Sequence, residues 1–261
     1  TYESGTFKVA PYFAFRNEGD AVAKINSNTE LNLNSGVTVI EGWIRPHRFP
    51  TEDEEYFPVF SKKADDGSDE LNYSLRLLPT GQLEFEMAST TGQPFRTAAS
   101  SVDADSLIGE PNVIEDTTWT HVAVYLNLAN GGTSTAIFYI DGTPHWVGAL
   151  DEQLGQNIEV DANNSYPAFI GYEPGPTEED GKVFVGDIKS VRFWNGYPGN
   201  QTQSSNVDNS DLTKFLQGAA SVRANELGVY NGNNYAENLV AAWVMNGGSW
   251  TGNGIYNSIP T

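Results

Sequence analysis

From Trp119 to Gly148 the sequence reads WTHVAVYLNLANGGTSTAIFYIDGTPHWVG, and no other stretch limits the fold as tightly. Its first run alternates. Val122, Val124 and Leu126 fall on one face of an extended strand, and His121, Ala123 and Tyr125 on the other. Residues 136–140 repeat the pattern, with Ile137 and Tyr139 opposite Phe138 and Ile140. Asp141-Gly142 supplies two residues that tolerate positive φ, as a type I′ hairpin turn requires. Residues 145–148 return as a third strand, and residues 127–135, with Gly131-Gly132, form a wider hairpin loop. Both faces carry bulky side chains. That predicts the middle of a sheet with another layer packed against it.

Similar signals recur along the chain. Residues 7–12 read as a short edge strand whose pairing Pro11 limits. A turn at 16–20 and a short strand at 21–25 follow. Residues 37–44 form a strong strand with Val37, Val39, Glu41 and Trp43 on one face and Thr38, Ile40, Gly42 and Ile44 on the other. Acidic loops at 50–56 and 64–70 flank a short strand at 57–61. Residues 72–78 and 82–87 pair as a hairpin across Pro79-Thr80-Gly81. Residues 88–117 read as a loop with one or two short strands. The last strong strands lie within 182–194, after a short strand at 168–171. A helix is expected at 211–217, capped by Asn209 or Ser210, with a second helical turn near 222–227 and a final strand at 239–245. The chain's 26 glycines and 12% aromatic content suit strands and turns. At 261 residues, one all-β sandwich accounts for the whole length.

Charge and cysteine usage exclude whole classes of function. Lys plus Arg is 14 against 34 for Asp plus Glu, a net charge of −20. A field of that sign repels phosphate backbones and anionic bilayers, so nucleic acid and membrane insertion are not expected. There is no cysteine, which removes disulfides, thiol nucleophiles and thiolate metal sites.

Taken in order, these segments resemble the LamG-like jelly-roll domains of the concanavalin A-like lectin/glucanase superfamily. The matching stretches are FAFRNEGDAVAKI at 13–25, LNLNSGVTVIEGWIRP at 31–46, FPVFSKK at 57–63 and NYSLRLLPTGQLEFEM at 72–87. TTWTHVAVYLN at 117–127, IFYIDGTPHWVG at 137–148 and VGDIKSVRFWNGY at 185–197 continue the series. The resemblance implies an all-β fold, two antiparallel sheets in a curved sandwich. Residues 1–198 make up the sandwich, and residues 199–261 form an extension with one or two short helices and a final strand on the same sandwich. It also implies a domain that binds glycans, proteins or cell surfaces, and in many relatives one calcium at the rim.

Carried over residue by residue, Asp20 matches an acidic position in the turn after the first strand and Asp187 one near the end, so these two are the expected Ca2+ ligands. Arg16 departs from the Asp or Asn common near the first position, and Lys189-Ser190 stand where relatives have an Asp-Asp pair. The alternative for both acids is local backbone bonding in turns. For a glycan or protein ligand, Trp146, Tyr172, Trp194 and Tyr197 stand near turns or strand ends, as do Trp250 and Tyr256, whereas Trp43, Trp119 and Trp243 read as core. Hydrolysis would need two carboxylates on one strand face, about 5–5.5 Å apart for a retaining mechanism. Glu84 and Glu86 satisfy the alternation, but the solvent face of an amphipathic strand explains them as well. Glu41, on a Trp-containing strand, reads as a hydrogen-bonded structural acid. His47, His121 and His145 are scattered, with His121 at a framework position.

The resulting expectation is a non-catalytic recognition or adhesion module at an extracellular or virion or other particle surface, with a glycan or surface protein as partner. A structural subunit contacting other copies or capsid proteins, as in a virion decoration or fibre protein, is the alternative. A glycoside hydrolase or polysaccharide lyase is the third reading.

Overall fold

A computed structural model describes residues 13–15, 23–26, 29–33, 36–68, 70–88, 94–98, 119–128, 135–149, 165–177, 180–196, 229–230, 233–234 and 239–243. The strands are β1 (Phe13–Phe15), β2 (Ala23–Ile25), β3 (Gly36–Pro46), β4 (Phe57–Lys63), β5 (Leu71–Leu77), β6 (Leu83–Ala88), β7 (Pro94–Ala98) and β8 (Thr120–Leu128). They continue as β9 (Thr135–Ile140), β10 (Thr143–Ala149), β11 (Ala168–Ile170), β12 (Tyr172–Glu173), β13 (Lys182–Val183) and β14 (Gly186–Asn195), then β15 (Val229–Tyr230), β16 (Asn233–Asn234) and β17 (Leu239–Trp243). A 3-10 turn, Thr29–Leu31, follows β2. No helix among the described residues is long and apolar enough to cross a membrane.

Among the described residues two antiparallel sheets dominate. One has seven strands in the order β1-β14-β3-β8-β9-β10, with β17 also on β14, and the other has six in the order β2-β11-β4-β5-β6-β7. Because β3 occupies one side of β14, β1 and β17 share the other, against residues 186–188 and 191–194. The fold is the two-sheet antiparallel sandwich that the resemblance implies. The hairpin at its centre forms as the sequence dictates. Asp141 and Gly142 have φ of 48° and 75°. The Asp141 carboxylate accepts the His121 N–H at 2.9 Å, and the Asp141 N–H donates to the His121 carbonyl at 2.8 Å.

The inner faces close on one core. Ile40, Ile44, Val122, Val124, Phe138 and Phe193 meet Phe60, Tyr73, Leu75, Phe85 and Met87. Aromatic contacts tie the layers together. Tyr73 stacks on Phe193 at 6.3 Å and Trp243 tilts over Phe60 at 5.5 Å, each pair crossing from one sheet to the other. Such pairs add about 0.5–1.5 kcal/mol each beyond the area they bury. Tyr73 also donates its hydroxyl to the Leu31 carbonyl at 2.8 Å, which satisfies the polar atom of a fully buried ring.

Two local departures shape the outer face. Between Lys189 and Arg192, β14 carries a bulge against β3, with Ser190 at φ 54°. The extra residue places Lys189 opposite Trp43 and Arg192 opposite Glu41, on one face although they are three apart in sequence. Gly186 lets β14 press against the end of β3: a Cβ there would stand 2.4 Å from the Arg45 carbonyl oxygen and 2.7 Å from Pro46 Cα. Backbone cannot yield cheaply, so Gly186→Ala is expected to destabilise by about 1–3 kcal/mol, measured as a lower denaturant midpoint with unchanged m-value.

Residues 7–12 and the expected helices at 211–217 and 222–227 lie outside the described residues. The final strand of the extension is a fact of the fold, for β17 hydrogen-bonds β14 and seats Trp243 in the core.

Candidate ligand-binding site

The outer face of the seven-stranded sheet changes character along β3. At its first end Val37 and Val39 join Ala123, Tyr125, Ile137, Tyr139, Trp194 and Leu239 in a second apolar cluster, all buried. Both faces of this sheet are therefore covered there, as the bulky alternation of β8 and β9 foretold.

In the middle lies a buried ionic knot. The Glu41 carboxylate accepts from Arg192 Nη1 at 3.0 Å and Trp194 Nε1 at 3.1 Å, and its other oxygen lies 2.7 Å from His121 Nε2. Burial opposes ionisation of Glu41. Arg192, His121 and Trp194 overcome that and hold its carboxyl at about 2. Glu41 is thus the hydrogen-bonded structural acid read from the sequence, and His121 is framework.

At the far end the face opens. Trp43 and Trp119 are both partly buried, with some of each side chain left open. Lys189 Nζ sits 4.1 Å from the centre of the Trp119 ring and 5.3 Å from that of Trp43. Arg45 Cζ lies 5.0 Å from the Trp119 ring, and His121 meets Trp43 edge-on at 5.5 Å. Burial, with Arg45 adding to it, pulls Lys189 below its ordinary pKa. Behind the cations, buried Asp187 accepts from Arg45 Nε at 2.8 Å and pairs with His47 Nε2 at 2.9 Å, both through Oδ2. These contacts set the guanidinium beside the indole. The result is an aromatic shelf edged by cations, on a chain whose net charge is −20.

The sequence assigned the tryptophans differently. Trp194 was read as a rim aromatic; it is fully buried and its indole N–H is given to Glu41. It is a core residue, because the bulged β14 turns it under the apolar cluster. Trp43 and Trp119 were read as core and are half-open, while Trp243 is core as expected. Tyr172, on β12, which pairs with β13 in a separate two-stranded sheet, is half-buried with its ring edge-on to Phe169 of the six-stranded sheet at 5.5 Å. Trp146 lies on β10 in register with Phe138, and its side chain is outside the described residues. Tyr197, Trp250, Tyr256 and Asp20 lie outside them altogether.

Calcium requires about six to eight hard oxygens. Asp187 offers one buried oxygen, Oδ1, with no hydrogen-bond partner among the described residues, but its other oxygen is committed to a guanidinium and an imidazole. No group of three or more His, Asp or Glu among the described residues is placed to hold a metal. The described residues around Asp187 do not fit calcium.

The two candidate catalytic acids have a different environment from either one read in the sequence. Glu86 is buried and Glu84 half-buried, so they are not a solvent face. Both reach Arg76 of β5: Glu86 pairs with its Nη1, and Glu84 lies 3.5 Å from the same atom. Glu173 of β12 closes the cluster, bonded to Arg76 Nη2 at 2.8 Å, Ser74 Oγ at 2.6 Å and the Tyr56 hydroxyl at 2.8 Å. Burial opposes the charge on Glu173, and Arg76 with its hydrogen-bonding partners drives its pKa below the ordinary value nonetheless. The Tyr56 ring lies 3.9 Å from the Arg76 guanidinium. Arg76 was missed by the sequence reading.

A family model described as the concanavalin A-like lectin/glucanases superfamily matches residues 17–202. The chain belongs to this superfamily. Solved structures overlay on this concanavalin A-like chain at low identity. An HCR/D tryptophan-to-alanine mutant is 15% identical, with 85% of this chain and 45% of that one covered at a TM-score of 0.50. A native heptameric SAP-like pentraxin from Limulus polyphemus is 14% identical, with 79% and 80% covered at 0.45. The CBM40 of the Ruminococcus gnavus IT-sialidase is 11% identical, with 79% and 97% covered at 0.46. No curated protein matches the chain by sequence. Lectins and glucanases share the superfamily's name, so its function rests on the site.

Proposed function

We propose that this chain is a non-catalytic recognition module that takes a glycan or protein surface on the shelf formed by Trp43 and Trp119. The single observation that carries this is the partial exposure of two neighbouring indoles, beside a cluster of buried apolar side chains, among the described residues of this face. A tryptophan holds 150–250 Å² or so of surface that water disfavours, and contiguous exposed apolar groups rimmed by polar ones mark binding sites. The cations at the rim fix orientation rather than bulk affinity. The clamping of Glu84 and Glu86 on Arg76 supports the non-catalytic part, since a general acid needs a carboxyl free to exchange its proton.

The test is a binding screen of the folded chain against immobilised glycans and surface proteins, with and without a chelator. Trp119→Ala and Trp43→Ala are each expected to weaken any captured ligand by about 30-fold, the range of an interface hot spot, while thermal melting shows both variants folded. Undiminished binding by the double variant contradicts the assignment. Turnover of any polysaccharide in the panel, lost in Glu86→Gln, contradicts the non-catalytic reading. Chelator-sensitive binding would place calcium in the working rim.

A further inference from the structure

The shelf also carries a charge count that narrows its ligand. Arg45 and Lys189 bring two positive charges to the indole rims, and Asp187, bonded to Arg45, takes one back. Further along the same face Glu41 and Arg192 cancel each other. The described residues of the open end therefore present a single net positive charge beside two apolar rings. Elsewhere two described loops are acidic, with Glu52, Asp53 and Glu55 exposed on one and Asp65, Asp66 and Glu70 exposed on the other. A polyanion would bring more negative charge than this single net positive charge balances, to a chain whose own net charge is −20. A neutral sugar would leave the partly buried Lys189 ammonium without a counter-charge among the described residues. A ligand with one carboxylate and an adjoining C–H face meets both demands.

We infer that the Trp43–Trp119 shelf binds a monocarboxylated sugar, a uronate or sialate unit, with its carboxylate between Lys189 and Arg45 and its apolar ring face on the indoles. This rests on the recognition reading above and adds the ligand class to it. Lys189 is the specificity-determining residue: its ammonium is held by the two rings rather than by an acid among the described residues, so the ligand supplies the anion. Arg45, already bonded to Asp187, shapes the pocket.

Calorimetric titration with the methyl glycoside of galacturonate and 3′-sialyllactose, each against its neutral counterpart (methyl galactoside and lactose), reads this out. At least one acidic sugar is expected to bind roughly tenfold or more tighter than its neutral partner, with affinity falling as salt rises. Lys189→Gln should erase that preference, and Lys189→Arg should restore most of it. Far-ultraviolet circular dichroism and melting confirm that each variant is folded. Equal binding of acidic and neutral sugars, still lost in Trp119→Ala, overturns the carboxylate inference and leaves the recognition module standing. Preference for a polysulfated chain or an acidic peptide overturns it in the same way. No binding of either acidic sugar overturns the inference, and the recognition reading falls with it only if the protein panel also fails.

Discussion

Replacing Glu41 by alanine is expected to remove about 3–5 kcal/mol of stability, enough to unfold a large share of molecules in a domain of ordinary stability. The reason lies in what remains. Arg192 is 2% exposed and His121 is fully buried, and both lose the carboxylate that compensates their burial, as does the Trp194 indole N–H. Water cannot replace it in a fully enclosed site, so the guanidinium keeps its desolvation penalty. A double change that also turns Arg192 into methionine should recover much of the loss, because it removes the stranded charge. The same group sets an acid limit. Its folded value of about 2 lies below the ordinary 4.5, so the unfolded chain binds the proton more readily. The stabilisation is whole above pH 4.5 and is lost as pH falls from there towards 2, on the order of 3 kcal/mol in total. Glu41→Gln should flatten that part of the stability curve in urea titrations between pH 5 and 2. A variant as acid-sensitive as the parent, or a cost below about 1 kcal/mol, would mean the knot is hydrated.

Arg76→Met should cost a similar amount, about 3–5 kcal/mol at pH 7, for the converse reason. Glu173 and Glu86 are buried and Glu84 half-buried, and all three converge on this one guanidinium. Without it, the burial that opposes the charge on Glu173 is no longer offset by Arg76, so the Glu173 pKa rises and it takes up a proton at milder acidity. The penalty is therefore expected to shrink as pH falls towards 5, opposite in sense to the behaviour of the Glu41 knot. Adding Glu86→Gln to Arg76→Met should restore stability rather than lower it further. Strict additivity of the two changes would contradict the clamp.

What the sequence made legible depended on how local the determining contacts are. The β8–β9–β10 unit could be read because its alternation and Asp141-Gly142 lie within thirty or so residues of each other, and neighbouring strands fix register by pattern. The hairpin of β5 and β6 was equally readable, and it held an unused signal. Its register sets Arg76 opposite Glu84 and Ser74 opposite Glu86, so the acids' partner was deducible from the turn. Glu173, which completes that cluster, lies 97 residues from Arg76, and no local pattern connects them. The tryptophans failed for the same reason. Alternation puts Val39, Glu41 and Trp43 on one face of β3 and says nothing about where along that face the cover stops. Trp194 lay at a strand end in sequence, yet pairing with Val39 draws it under the apolar cluster. Trp119, also at a strand end, remains half-open beside Arg45.

The working surface can be tested without knowing the ligand in advance. The chain has six tryptophans, and each indole N–H gives its own cross-peak in a nitrogen–proton NMR spectrum. Titrating the methyl glycoside of galacturonate or 3′-sialyllactose into labelled protein, with peaks assigned by single Trp→Phe variants, should shift Trp43 and Trp119 while Trp194 and Trp243 stay in place. Shifts led by Trp194 or Trp243, or saturable binding that leaves Trp43 and Trp119 unmoved, would contradict recognition at this end of the sheet.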